Sequence, residues 1–339
     1  MTARYAAQPE EACALCGGRN AETVSTRDRR RRPLTSMLCL DCGLVYSSPV
    51  PSDPVVERFY RDRYRLEYKG AALPSRRQIV RNFKYVLGFF ERNAALLADA
   101  RTCLDVGAGS GEFLFFARAL GMRAAGIEPN EGYAAYARES LGLDVSTAFI
   151  QDADYPQGGA DFIRLNHVLE HLNRPVESLK ALGRWLADDG VIYIEVPNIE
   201  DYADTKSRGN IFHFGHIFNF SPWSLRACAG LAGFEELEAV REANARSTGS
   251  FFRKGRSWTV EEAANPDNAA RVAGGLRRHY AERRLGRTTA KMMRKLRRHT
   301  EEIGDGLRFS DPAAIGAHFV ERFKQGPAGC NGRDRFERV

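Results

Sequence analysis

Hydrophobic positions along this 339-residue chain follow two different rhythms. From Arg76 to Ala98 the apolar residues Ile79, Val80, Phe83, Val86, Leu87 and Phe90 recur every three or four positions, which predicts a helix with one buried face. At Cys103 the rhythm changes. The run "CLDV" reads as a short buried strand that enters a glycine-rich turn and then the apolar-faced helix "EFLFFARALG". The alternation continues through strand "RAAGIEP", a helix near 131–141, a strand near 144–148, strand "ADFIRLN", helix "NRPVESLKALGRWL" and strand "GVIYIEVP". "FEELEAV" and "SFFRKG" read as a closing pair of strands. Strands and helices alternating at this spacing predict an α/β domain, a parallel sheet covered on both faces.

The ends of the chain are patterned differently, and four segments result. Residues 1–50 hold two cysteine pairs, and residues 51–99 form a linker ("SSPVPSDP") and helical connector. Residues 100–254 are the α/β domain, and 255–339 a basic extension, with one or two helices over 268–303 and a last dozen residues expected to be disordered. Composition fits this division. At 43% hydrophobic the chain can bury a sizeable core. No apolar run approaches the ~18 to 20 residues of a membrane span. The start "MTARYAAQPEEAC" lacks an apolar signal core, so a cytoplasmic protein is expected. The net charge of +7 is concentrated: Arg271 to Arg298 carries 11 Lys or Arg against Glu282 alone. The basic character therefore belongs to one late segment, which could clamp RNA, lie on a membrane or, with Met292, Met293 and Leu296 on it, form the face of a homodimer. The last is favoured, since Tyr280 alone offers stacking surface for a single-stranded nucleic acid.

Four of the seven cysteines lie in the turns "CALCGG" and "CLDCG", with 22 residues between the inner two. In each turn a glycine permits a tight backbone. Cys13, Cys16, Cys39 and Cys42 together predict a closed tetrahedral shell of four thiolates, a structural Zn2+ rather than a catalytic one. A small unit with almost no core needs such a staple. The "RDRRRR" between the pairs reads as a solvated hairpin tip. Cys103 and Cys228 lie in apolar company and read as buried small residues.

The glycine-rich turn by itself could cradle a pyrophosphate, as in a dinucleotide-binding protein. Here the pattern is Asp105, Gly107, Gly109, Gly111, and Glu128 ends the next strand, where a carboxylate can accept both hydroxyls of a ribose. An acid ahead of the glycines suits a cationic ligand better than a phosphate. At this point the chain resembles the class I S-adenosylmethionine-dependent methyltransferases, on the strength of "LDVGAGSGEFL", "GIEP", "ADFIRLNHVLEHLNRP" and "GVIYIEVPN" in that order. The resemblance implies a Rossmann-like seven-stranded sheet with helices on both faces, between a small zinc ribbon and a basic helical tail. It implies S-adenosylmethionine as cofactor. Gly107, Ala108, Gly109 and Gly111 would form the loop under its methionine part, with Asp105 near the ammonium. Glu128 and Pro129 would lie at the ribose, Phe149 and Ile150 beside the adenine, and Asn166 and His167 near the sulfonium.

With the cysteine module included, the chain is similar to a bacterial group containing the deoxysugar C-methyltransferases, many of whose relatives occur with polysaccharide or natural-product biosynthesis. Those enzymes carry an adjacent Glu-His pair for base chemistry before an aromatic-Phe-Ser stretch. In "HFGHIFNFS" that places His216 on the family histidine and Gly215 where the glutamate would be. The large further C-terminal domain of those enzymes has no counterpart here. His216 is the first candidate for a general base, then His213, then His167. A metal at His213 and His216 is not expected because no third ligand is apparent, and His171 is expected to pack or cap locally on one helical turn with His167; Glu170 and His171 could ligate a metal with His167, but nothing else in the chain suggests one. Three readings follow. The first is methyl transfer to a small molecule, a sugar, glycan or natural-product intermediate, under a lid that includes Tyr60, Tyr64 and Tyr68. The second is an RNA or protein methyltransferase that grips its partner with the zinc module and basic tail. The third is a binding protein without turnover, disfavoured by the intact glycine loop and Glu128.

Overall fold

The computed structural model describes residues 12–64, 73–200, 211–242, 246–281, 288–309 and 311–326. Tyr68 and the last dozen residues lie outside them. A seven-stranded sheet has the order β10-β11-β8-β7-β4-β5-β6, built from β4 (Thr102–Val106), β5 (Arg123–Ile127), β6 (Asp144–Ser146), β7 (Ala160–Asn166), β8 (Leu186–Pro197), β10 (Phe234–Glu242) and β11 (Ser247–Lys254). β4, β5 and β6 pair in parallel, whereas β11 runs antiparallel to both β8 and β10. Helices lie on both faces, the expected Rossmann-like α/β architecture.

By internal packing the chain divides into two compact units, residues 60–164 with 285–339, and residues 1–59 with 165–284. In the first, α2 (Arg76–Leu97) starts at the cap Ser75, whose side chain accepts from the Gln78 N–H. Its predicted apolar face is buried, including Phe83 and Phe90, and so is Phe89, which the pattern had not included. Phe90 stacks on Phe113 and Phe116 of α3 (Glu112–Ala119) and meets Phe323 of α9 (Pro312–Lys324) edge-on. Polar groups on α2 hold the tail as well: Lys84 pairs with Asp305 at 2.7 Å and Arg77 with the buried Glu302 at 3.4 Å, both on α8 (Thr288–Leu307). Much of the C-terminal extension is therefore core to this unit.

In the second unit a four-stranded sheet runs β1 (Ala21–Arg27), β2 (Pro33–Cys39), β3 (Val45–Ser48), β9 (Phe218–Asn219). The first three strands belong to the cysteine module. The fourth comes from "HFGHIFNFS", with Val45 opposite Asn219 and Tyr46 opposite Phe218. Leu38 and Val45 of the module share one core with Ile199, Ile211, Phe212 and with Val272, Ala273 and Leu276 of α7 (Pro266–Ala281). The module lacks a core of its own, as its composition implies, and borrows one. Asn268 of α7, wholly buried, donates to the Cys42 carbonyl at 2.7 Å and accepts from Ser221, which caps α6 (Pro222–Leu231). A Cβ on Gly43 (φ 81°) would come within 2.4 Å of the Asn268 amide, so the knuckle and α7 meet at a distance only glycine allows.

The arginine-rich tip between β1 and β2 is organised by one carboxylate. Asp28 Oδ1 accepts the N–H groups of Arg30 and Arg32 at 2.8 Å, and Oδ2 accepts the Arg32 guanidinium at 2.7 Å. Arg27 donates to the Arg31 carbonyl. Among the described residues no helix is long and apolar enough to cross a membrane.

Candidate active site

β4 ends in the glycine loop, and the loop turns because Gly107, Gly109 and Gly111 take φ of 76°, 58° and 87°. The N–H groups of Gly107 and Ala108 donate to the Ile127 carbonyl at 2.7 and 3.0 Å, tying the loop to the end of β5. Glu128 follows, 3% exposed, with Oε2 accepting from Gly109 N–H at 2.8 Å and Oε1 from Asn130 N–H at 3.0 Å. Those bonds orient the carboxylate at the end of β5. The loop packs closely on its neighbours: a Cβ on Gly126 would lie 2.9 Å from that of Ala108, and one on Gly111 would strike Leu143 and Ala137. Pro129 is half-buried after Glu128. Phe149, half-buried, precedes a single 3₁₀ turn at Ile150–Asp152 in which Ile150 is buried.

The Asp105 carboxylate is enclosed and accepts from Arg164 of β7 at 2.9 Å. That guanidinium also lies over the Phe113 ring at 4.4 Å. Burial pushes the Asp105 carboxyl above its ordinary range, and the Arg164 charge opposes the shift. Arg164 engages Oδ1 only; the buried Oδ2 accepts no hydrogen bond among the described residues.

The four cysteines of the module do come together. Sγ of Cys13 lies 3.5 Å from that of Cys42, and Sγ of Cys16 3.5 Å from that of Cys39. Crowding splits their acidities. Hydrogen bonding from Cys13 holds Cys16 far below the usual thiol value and lowers Cys39 to about 7, while the same contacts raise Cys13 and Cys42. A tetrahedral set of soft donors at this spacing suits zinc. Cys103 and Cys228 are buried singly, and burial raises both thiols.

The histidines form a second cluster, in the unit of residues 1–59 and 165–284. At its centre is Glu170, 1% exposed, in the 3₁₀ turn Leu169–His171. Neither of its oxygens accepts a hydrogen bond. Instead Oε1 lies 3.5 Å from His167 Nδ1, 3.7 Å from His171 Nε2 and 3.9 Å from His216 Nε2. Burial alone would raise its pKa, but His171 and His167 hold the carboxyl below the ordinary value. His171 does not act locally: its Nδ1 bonds the Gly215 carbonyl, 44 positions along the chain. Nor do His167 and His171 share a helical turn, because His167 sits in the left-handed region at φ 56°.

His167 follows the carboxyl end of β7, after the half-buried Asn166, and its N–H donates to the Glu195 carbonyl at 2.8 Å. Its ring bridges two acids, with Nε2 3.6 Å from Glu195 Oε1, and Glu195 Oε2 in turn accepts from the Tyr193 hydroxyl at 2.6 Å. The His167 side chain is 41% exposed and that of His216 13%, while His213 is buried at 4% with its ring centroid 3.8 Å from that of His216. The loop carrying His213 and His216 is pinned by the cysteine module: Ser47 N–H donates to the Ile217 carbonyl, Arg29 N–H to the Phe212 carbonyl, and Phe59 meets Phe214 edge-on. The carboxylate that Gly215 cannot supply to His216 comes from Glu170. Sequence reasoning named Glu170 without finding this role, and it missed Glu195 and Tyr193, because nothing local in the chain pairs β8 with the turn after β7.

A family model described as a methyltransferase domain matches residues 77–239, from α2 into β10. With the strand order and the glycine loop, that match identifies residues 77–239 as a methyltransferase domain and the protein as an enzyme. Among solved structures it is similar to the 1,6-didemethyltoxoflavin-N1-methyltransferase of Burkholderia thailandensis, whose structure holds 1,6-didemethyltoxoflavin and S-adenosylhomocysteine. The identity is 17%, over 62% of this chain and 96% of that one, with a TM-score of 0.44. It is also similar to the CcbJ methyltransferase of Streptomyces caelestis, at 19% identity over 49% and 90% of the two chains, with a TM-score of 0.40. No curated protein matches the chain.

Proposed function

We propose that this methyltransferase acts on a small molecule, a sugar, glycan or natural-product intermediate, at an oxygen or carbon whose proton is removed by the Glu170-centred histidines. The observation that supports the reading is the buried, hydrogen-bond-free carboxylate of Glu170 facing three imidazoles. Such a cluster suits an acceptor that must lose a proton as it attacks. Its two acids, Glu170 and Glu195, would oppose a phosphate backbone.

S-adenosylmethionine supplies an electrophilic methyl group on a sulfonium. Of this chain's residues, Glu128 holds the ribose, the loop Gly107–Gly111 receives the methionine part, and Phe149 and Ile150 border the adenine. His167 takes the acceptor's proton. Exposure decides the order of the three histidines: His167 is the accessible one, His216 is mostly enclosed and His213 is wall. The cofactor held at Glu128 and the glycine loop would supply the methyl group, and the proton that the acceptor gives up would go to His167. Zn2+ at the four cysteines is structural and fixes the module whose β3 edge carries the histidine loop.

Methyl-labelled cofactor offered with separate pools of sugar nucleotides, glycans and RNA tests the substrate class. Label in a small-molecule fraction, lost in His167→Gln, is expected. Label in RNA alone contradicts the reading.

A further inference from the structure

We infer that Glu170, His171 and His216 form a second metal site, for a divalent first-row transition ion held by nitrogen and oxygen donors. The inference deepens the proposed acceptor site and rests on that reading for its role, though not for its existence. One donor atom from each residue lies within 4.8 Å of the other two. A tetrahedron built on bonds of ~2.1 Å has edges of about 3.4 Å. The separations of 3.7 Å from Glu170 Oε1 to His171 Nε2 and 3.9 Å to His216 Nε2 are close to that.

Two further features point the same way. The first is the isolation of Glu170. A carboxylate without hydrogen bonds inside a protein is costly, and a cation at its face removes the cost. The second is the orientation of His171. Its Nδ1 meets the Gly215 carbonyl, which turns Nε2, the nitrogen that would ligate a metal, to the Glu170 side, 3.7 Å from Oε1. The same loop supplies His216 one residue later, so one backbone segment orients both imidazoles. Two histidines and one carboxylate leave a position open for a hydroxyl ligand, as in sites that lower the pKa of a bound O–H. His167, 3.5 Å from Glu170, stands beside it as the proton acceptor. Imidazole with carboxylate favours zinc, cobalt, iron or nickel over magnesium or calcium. The sequence offered Glu170 and His171 as ligands only with His167, and His216 only with His213; the fold joins His216 to Glu170 and His171, which lie 46 and 45 positions upstream of it.

The test is a Co2+ titration of the full-length protein with Zn2+ retained at the cysteines, read by visible absorption, with S-adenosylhomocysteine calorimetry on the same samples. One equivalent of Co2+ should give d–d bands without thiolate charge transfer. In Glu170→Gln and in His216→Gln the affinity should fall at least about tenfold, with the far-ultraviolet circular dichroism unchanged. Absence of those bands in wild type, or Co2+ affinity in both variants equal to that of wild type, overturns the site. If the protein then still binds S-adenosylhomocysteine, only the metal site has failed. Co2+ binding as expected in a protein that does not bind S-adenosylhomocysteine would keep the metal site and remove the proposed function.

Discussion

Glu128 is the residue on which the proposed cofactor site turns. Gly109 and Asn130 N–H groups hold its oxygens in place, which would leave little ordering for the proposed ribose contact. Glu128→Ala should weaken S-adenosylhomocysteine binding roughly 10- to 100-fold, the worth of hydrogen bonds to a charged group, as measured by calorimetry. His167→Gln should do the opposite. The rate constant for transfer should fall about 10²- to 10⁴-fold while the cofactor affinity stays put. Asp28 offers a test by pH. Burial would raise its pKa, but the Arg32 guanidinium and two N–H groups hold it below 3.8. A carboxyl depressed in the folded state stabilises at neutral pH, and that stability is lost as pH falls from 3.8 through the lower folded value. Asp28→Asn should cost about 1 kcal/mol at neutral pH, and the difference from wild type should vanish in acid melts. At this scale the glycine loop, Glu128 and the four cysteines were legible in the sequence because each signal is local. Glu170 was not, because its meaning depends on His216, 46 residues away.

At the scale of elements, the cysteine module is a scaffold. β3 donates its free edge to β9, and through it the module fixes the loop of His213 and His216. Removing the metal from the cysteines should therefore slow methyl transfer more than it weakens S-adenosylhomocysteine binding. Rates and calorimetry on chelator-treated protein would show whether the two losses separate. The strands and helices of the α/β domain follow the expected order because their apolar periods are strong, and β8 starts a few residues earlier than "GVIYIEVP" implied. The sequence could not show that residues 218–219 leave the histidine stretch as a strand. A two-residue strand has no period to read, and its partner lies in another segment.

For the whole molecule, linear segments proved a poor guide to packing. The basic extension read as one tail, yet α7 packs with the cysteine module while α8 and α9 pack on α2. Beyond the charge run and the helices expected over 268–303, Ile315, Phe319 and Phe323 are all buried. Phe323→Ala should cost about 3 to 5 kcal/mol in chemical denaturation, an outcome foreign to a loose tail. The central claim is that the cofactor and the acceptor chemistry are served by different residues, Glu128 with the glycine loop for one and the Glu170 cluster for the other. Calorimetry of S-adenosylhomocysteine against wild type, Glu128→Ala and Glu170→Gln tests it most directly. The account predicts tight binding to wild type, weakened in Glu128→Ala and unchanged in Glu170→Gln; a wild-type protein that binds no S-adenosylhomocysteine, or a Glu128→Ala variant that binds it as well as wild type, would contradict it.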